Sequence, residues 1–208
     1  MLFRSVVAAA HNRACYAQCF EALHPAYLEV YLRALELWWD DPTVANPILK
    51  LMAELVYQRG ARIQFGSNSP NGILLFKAAS QAVVTFGSQI LGYAPPGDAA
   101  YSHKYKGVMV CAQIMARCLD GGFVNFGVFQ LYGDRSFDQA LEATLKLLLS
   151  ISVEELMVSH KNCKRWFWEV MVVWCGWSLS FACQCPRLVY LTFAPFLFPR
   201  FFSPLLFS

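Results

Sequence analysis

Through the middle of this chain apolar residues recur at the spacing of one helix face, broken at intervals by proline or glycine, and strand alternation is absent from the pattern. In the first segment Leu28, Tyr31, Leu32, Leu35 and Trp39 repeat at i, i+3, i+4, i+7 and i+11, while Glu29, Arg33, Glu36 and Asp40 occupy the other side. This predicts an amphipathic helix of about four turns. Asp40-Asp41-Pro42 stops it. Asn46-Pro47 is then expected to open a second helix, as N-cap followed by proline at the first helical position, where a missing N–H does no harm. Ile48, Leu51, Met52, Leu55 and Val56 form its stripe. A link this short favours antiparallel neighbours, the helix hairpin from which solenoids are made.

Gly60 breaks the second helix, and Ser69-Pro70 repeats the cap-then-proline device before a longer helix carrying Leu75, Ala79, Ala82, Val83, Phe86 and Ile90. The Pro/Gly content of residues 92–100 marks a surface loop. Val108, Cys111, Ala112, Met115 and Leu119 mark a fourth helix, ended by Gly121-Gly122. Ser136 with Gln139 and Ser152 with Glu155 both have the spacing of a capping box, and the first opens a helix lined by Phe137, Leu141, Leu145 and Leu148. Predicted helix starts near 26, 73 and 136 lie about 47 and 63 residues apart, the first spacing close to that of HEAT and armadillo units. The expected fold is all-α.

No constellation for catalysis appears. The histidines, at 11, 24, 103 and 160, are widely separated, and His103, beside Lys104 and Lys106, is expected in a solvated loop. Phosphate-cradling glycine motifs and the serine nucleophile elbow do not occur. Asp40-Asp41 and Asp134 could be paired carboxylates, but adjacent acids before a proline are more simply a helix terminus. The eight cysteines, at 15, 19, 111, 118, 163, 175, 183 and 185, contain no C-x-x-C pair, and the helical spacing of 15 with 19 and of 111 with 118 suits buried free thiols. No enzyme, cofactor or metal is therefore expected. Residues 1–157 carry 12 basic and 13 acidic residues, so the body offers no basic face for nucleic-acid phosphates.

Two stretches are more distinctive than the patterning: Ser69-Pro-Asn-Gly-Ile-Leu-Leu-Phe76 and Val124-Asn-Phe-Gly-Val-Phe-Gln-Leu-Tyr-Gly-Asp134. In the second, Phe126, Phe129, Leu131 and Tyr132 are expected to pack as one short helical turn, capped by Asn125 and ended by Gly133, with inter-helix packing favoured over cargo contact. Both stretches resemble signatures of the exportin-7 family, large nuclear transport receptors of the importin-beta superfamily, and the similarity runs with interruptions from about 22 to 157. The resemblance implies a HEAT/armadillo-like solenoid fragment of antiparallel helix pairs, from the interior to the C-terminal part of such a receptor. It further implies protein cargo, Ran in its GTP-bound form and nucleoporins as partners, and shuttling between nucleus and cytoplasm through the nuclear pore. Ran recognition in these receptors is concentrated in the N-terminal repeats, so the resemblance carries over no Ran-contacting residue, and cargo contacts stay unassigned.

The ends of the chain depart from this pattern. Residues 1–15 carry no assigned element; their apolar run is broken by Arg4, against a targeting sequence, and a wrongly predicted start is one explanation of them. Residues 16–157 form the expected repeat region. The tail, 158–208, carries five basic residues and one acid, and 13 of its residues are aromatic, a composition unlike the body's. Residues 166–185 hold one charge, Glu169, and are long enough to span a bilayer, with Lys161, Lys164 and Arg165 at the inner boundary; a membrane-tethered helical adaptor is thus a rival reading. The favoured explanation is a translated intron, since a splice-donor sequence read in frame encodes Val-Ser, the residues at 158 and 159. An inert truncated product is the third reading.

Overall fold

The computed structural model describes residues 2–66, 69–93 and 100–151, and all regular structure among them is helical. In chain order the helices are α1 (Leu2–Ala9), α2 (Arg13–Leu23), α3 (Ala26–Leu37), α4 (Pro42–Leu55), α5 (Asn71–Ile90), α6 (Lys106–Asp120), α7 (Gly127–Leu131) and α8 (Ser136–Leu149), and a π-helical turn at Tyr101–Tyr105 leads into α6. Residues 94–99 of the expected loop, the Ser152/Glu155 box, the boundary at Met157, and the whole tail with its possible span, intron, four cysteines and His160 lie outside the described residues.

The helices form two rows. α3, α5 and α8 stack side by side in one, and α1, α4 and α6 in the other. Direction follows from particular contacts. Phe76 meets Phe137 near the starts of α5 and α8, and Gly87 lies against Leu147 near their ends, so the two run parallel. Asn46 donates to the Ser102 carbonyl at 3.0 Å and Gln58 to the Gly121 carbonyl at 3.4 Å, so α4 and α6 are parallel as well. Between the rows the sense reverses: Gly107, at the start of α6, lies under the Phe86 ring near the end of α5, while Gly72, at the start of α5, lies under the Phe123 carbonyl just past α6. Antiparallel hairpins stacked in parallel are the geometry of a helical-repeat solenoid. Row starts at 26, 71 and 136 leave intervals of 45 and 65 residues, and the longer one contains α7.

Most of the predicted stripes lie in the core, while Tyr31, Leu32, Trp39, Leu119 and Leu145 are only half-buried. Leu28 and Leu35 of α3, all six stripe residues of α5, and Val108, Cys111, Ala112 and Met115 of α6 are buried. α5 is long and apolar enough to cross a bilayer by length and composition, yet half of it is buried among α3, α6 and α8, as expected of a core helix.

Three local expectations are corrected. α4 begins at Pro42, not at Asn46-Pro47: the Asp41 carboxylate accepts from the Thr43 N–H at 2.7 Å, so Asp41-Pro42 is the cap-then-proline pair. Pro47 lies inside the helix, and Asn46 is buried against Ser102 rather than capping. Ser136 does not cap α8 either; Asp134 accepts from the Ser136 N–H at 2.8 Å and from its hydroxyl at 2.5 Å, because a carboxylate is the stronger acceptor and sits two residues ahead. His103 belongs to the π-helical turn rather than a loop, with its Nδ1 3.2 Å from the Asp40 carbonyl.

Candidate interaction surface

The two distinctive stretches meet in space. Phe76 of α5 lies edge-on to Phe126 and Phe129, each at 5.1 Å between centroids, and Phe137 of α8 lies tilted against Phe126 at 4.6 Å. Asn125 accepts from the Gly127 N–H at 3.0 Å and so caps α7, and Gly133, at φ +65°, ends it, both as expected. Leu131 and Tyr132 do not pack with this cluster: each is 79% exposed. A five-residue helix has only one inward face, and Phe126 and Phe129 occupy it. Beside the rings Lys77 donates to Asp134 at 2.8 Å, and with Ser136 this holds the Asp134 carboxyl down at about 2. Gly72 is needed for close approach, since a Cβ there would lie 2.4 Å from the Phe123 carbonyl oxygen.

At the other end stands a group that patterning does not mark. The Arg62 side chain is wholly buried, and its guanidinium donates to the carbonyls of Val7 (2.8 Å), Ala10 (3.2 Å), Glu54 (2.8 Å) and Tyr57 (3.1 Å) and to the Glu54 carboxylate (3.1 Å). It thereby ties the end of α1 to the end of α4. The Tyr16 ring lies 5.3 Å from the guanidinium carbon, and its hydroxyl donates to the Leu55 carbonyl at 2.5 Å. Residues 1–15 thus contribute α1 and the beginning of α2, the latter capped by Asn12, whose side chain accepts from the Cys15 N–H at 2.8 Å.

Neither cluster holds reactive groups in catalytic relation. Cys111 and Cys118 are free and buried, and burial pushes both thiols well above their ordinary range. Cys15 is exposed and Cys19 half-buried, contrary to the expectation of burial, because α2 has only one covered side. Asp40 lies in the turn between α3 and α4, Asp41 caps α4, and Thr43 holds the Asp41 carboxyl below its usual value. His24 stacks on Phe20 at 5.4 Å. Among the described residues no group of three metal-ligating side chains converges.

The surface offers binding geometry instead. Between α3 and α5 runs an open groove of about 470 Å³. Glu29, Arg33 and Glu36 form one wall; Gln81, Thr85, Ser88 and Gln89 form the other. Such walls can hydrogen-bond a protein partner along two helices at once. Sequence patterning places Glu29, Arg33 and Glu36 on the outer side of α3 but gives no signal for the opposing wall.

Among curated proteins the chain is 43% identical to Exportin-7-B of Xenopus laevis over 155 residues, 74% of the chain and 14% of that protein. It is 41% identical to Ran-binding protein 17 of Homo sapiens over 165 residues, 79% of the chain and 15% of that protein. It is 35% identical to Exportin-7 of Dictyostelium discoideum over 177 residues, 85% of the chain and 18% of that protein. The chain therefore spans about a seventh to a sixth of the length of these relatives. No protein-family profile matches the chain, and no solved structure does.

Proposed function

The chain belongs to the exportin-7 family over the stretch it shares with these relatives, and from this premise we propose that it serves as a helical-repeat segment of a nuclear export receptor. In this reading it holds folded protein cargo, acts with GTP-bound Ran, meets nucleoporins during passage through the pore, and moves between nucleus and cytoplasm. The names of the relatives, exportin-7 and Ran-binding protein 17, support export and Ran as the setting. The observation that carries the reading is that this level of identity accompanies stacked antiparallel hairpins with an open polar groove between α3 and α5. Curved arrays of this type bind through extended lateral surfaces, to which each repeat adds one strip. The segment's task is recognition, not chemistry.

A chimera tests this. The matching segment of the Xenopus relative is replaced by residues 16–157 of this chain, and export of a cargo that depends on that receptor is followed in permeabilised cells. Retained, GTP-dependent export supports the reading. A chimera that folds and still binds Ran-GTP yet leaves the cargo in the nucleus overturns it.

A further inference from the structure

The two flanks of α3 differ in kind. Glu29, Arg33 and Glu36 line the groove towards α5. On the opposite flank Tyr27, Val30, Ala34 and Leu37 follow one another at i, i+3, i+7 and i+10, and Trp38 at the C-cap continues them. No charged residue of α3 falls within this stripe. Tyr27 is 50% exposed, Val30 63%, and Leu37 and Trp38 52% each. Single apolar side chains are ordinary on a surface, but a stripe of them along the whole of a helix marks a face made to be covered.

α1 widens this face. Its Phe3 ring lies 5.4 Å from that of Tyr27 and 6.3 Å from that of Tyr31, and Val6, one turn further on, is 48% exposed. Between α1, α3 and α4 opens a cleft of about 70 Å³, lined by Phe3, Arg4, Tyr31, Pro47, Ile48 and Leu51. This is room for the tip of one apolar side chain. Elsewhere in the array a helix fills such an angle between the rows: α5 packs on α3 within its own row and on α4 and α6 across it.

We propose that the apolar flank of α3, with Phe3 and Val6 of α1, is a seam that takes an adjoining helical repeat of an exportin-7-type array, one amphipathic helix of which lies parallel to α3 and antiparallel to α1 with an apolar side chain in the cleft. This direction continues the stacking already present, in which neighbours within a row run parallel and the sense reverses between rows. A second copy pairing α3 with α3 would cover a strip only about 18 Å long and one helix wide, short of the roughly 800 Å² a side of a stable dimer. A charged peptide finds no counter-ion along the stripe. The seam shares no residue with the α3/α5 groove and stands whether or not the chain takes part in export.

The test uses the full chain and, as probe, a fluorescein-labelled segment of Exportin-7-B of Xenopus laevis: the 45 residues, one repeat interval, that immediately precede the part this chain matches. Binding is followed by anisotropy. Saturable binding is expected, weakened about tenfold or more by Val30→Glu, which would bury a carboxylate in the seam, and unchanged by Gln81→Glu, which puts the same group in the α3/α5 groove. Because Val30→Glu can disturb folding, the contact is also mapped with a photo-cross-linking benzoylphenylalanine in place of Val30 or of Gln81; the first is expected to capture the probe and the second not. Absence of binding, capture from position 81 alone, or binding indifferent to Val30→Glu in a folded chain overturns the proposal. Self-association of the chain that Val30→Glu abolishes, in place of probe binding, overturns it too and gives the face to a second copy.

Discussion

The joint between α1 and α4 and the joint between α5 and α8 both fasten one helix to the next in its row, with opposite chemistry. The first places an ion pair and four carbonyl bonds around one buried arginine; the second interlocks four phenylalanine rings and leaves its ion pair, Lys77–Asp134, at the rim. A buried charge is stringent, because removing one partner strands the other without solvent. An aromatic cluster is forgiving, because a smaller apolar residue still excludes water. The two ends of the array should therefore answer substitution very differently.

The sharpest way to break the comparison is Arg62→Met. It leaves the Val7 and Ala10 carbonyls without their donor and the Glu54 carboxylate with only the half-exposed Arg59, and a loss of about 3–5 kcal/mol is expected in urea unfolding. The double variant Arg62→Met with Glu54→Met should recover part of that loss, since the buried carboxylate goes while the carbonyls stay unpaired. If the single variant costs no more than a surface change, the arginine is not the fastening of α1. Next in size is Phe129→Leu, expected to cost about 1–2 kcal/mol in the same measurement. A loss as large as that of Arg62→Met would erase the distinction between the joints.

Why one joint was foreseen in part and the other not at all is a matter of which atoms make it. The rings lie at helical spacing within stretches already conspicuous in the sequence, so Phe126, Phe129 and Phe137 were legible as packing residues; that Phe76 joins them is a tertiary fact. Arg62 lies between helices, in no periodic stripe, and its partners are mostly carbonyls, which no composition reveals. The helix starts show the same limit. Two cap-then-proline pairs compete at 41–42 and 46–47, and only the fold shows that Asn46 is taken by Ser102. Leu131 and Tyr132 were expected inside on hydrophobicity alone, but α7 is too short to turn them there. Of the α3/α5 groove only the charged wall was visible, because the amides and hydroxyls of α5 interleave with its core stripe.

The smallest expected effect sharpens the rim of the second joint. Asp134 has its carboxyl lowered from 3.8 to about 2, so its charge adds stability that is complete above about pH 4 and lost as pH falls through 2. Asp134→Asn keeps a capping oxygen but removes the charge, and should cost about 0–1 kcal/mol at pH 7, the value for a partly exposed pair. The gap between the two proteins should close as unfolding is repeated towards pH 2. A gap that persists there would assign the role of Asp134 to geometry alone.

The Arg62 clamp grips α1 through the Val7 and Ala10 carbonyls, atoms that every residue type supplies. Over evolutionary time this makes α1 a permissive segment: its side chains can be exchanged one after another without loosening that grip, provided the helix and the close packing at Val7 persist. The arginine has no such latitude, and a lineage that lost it would have to rebuild the whole attachment.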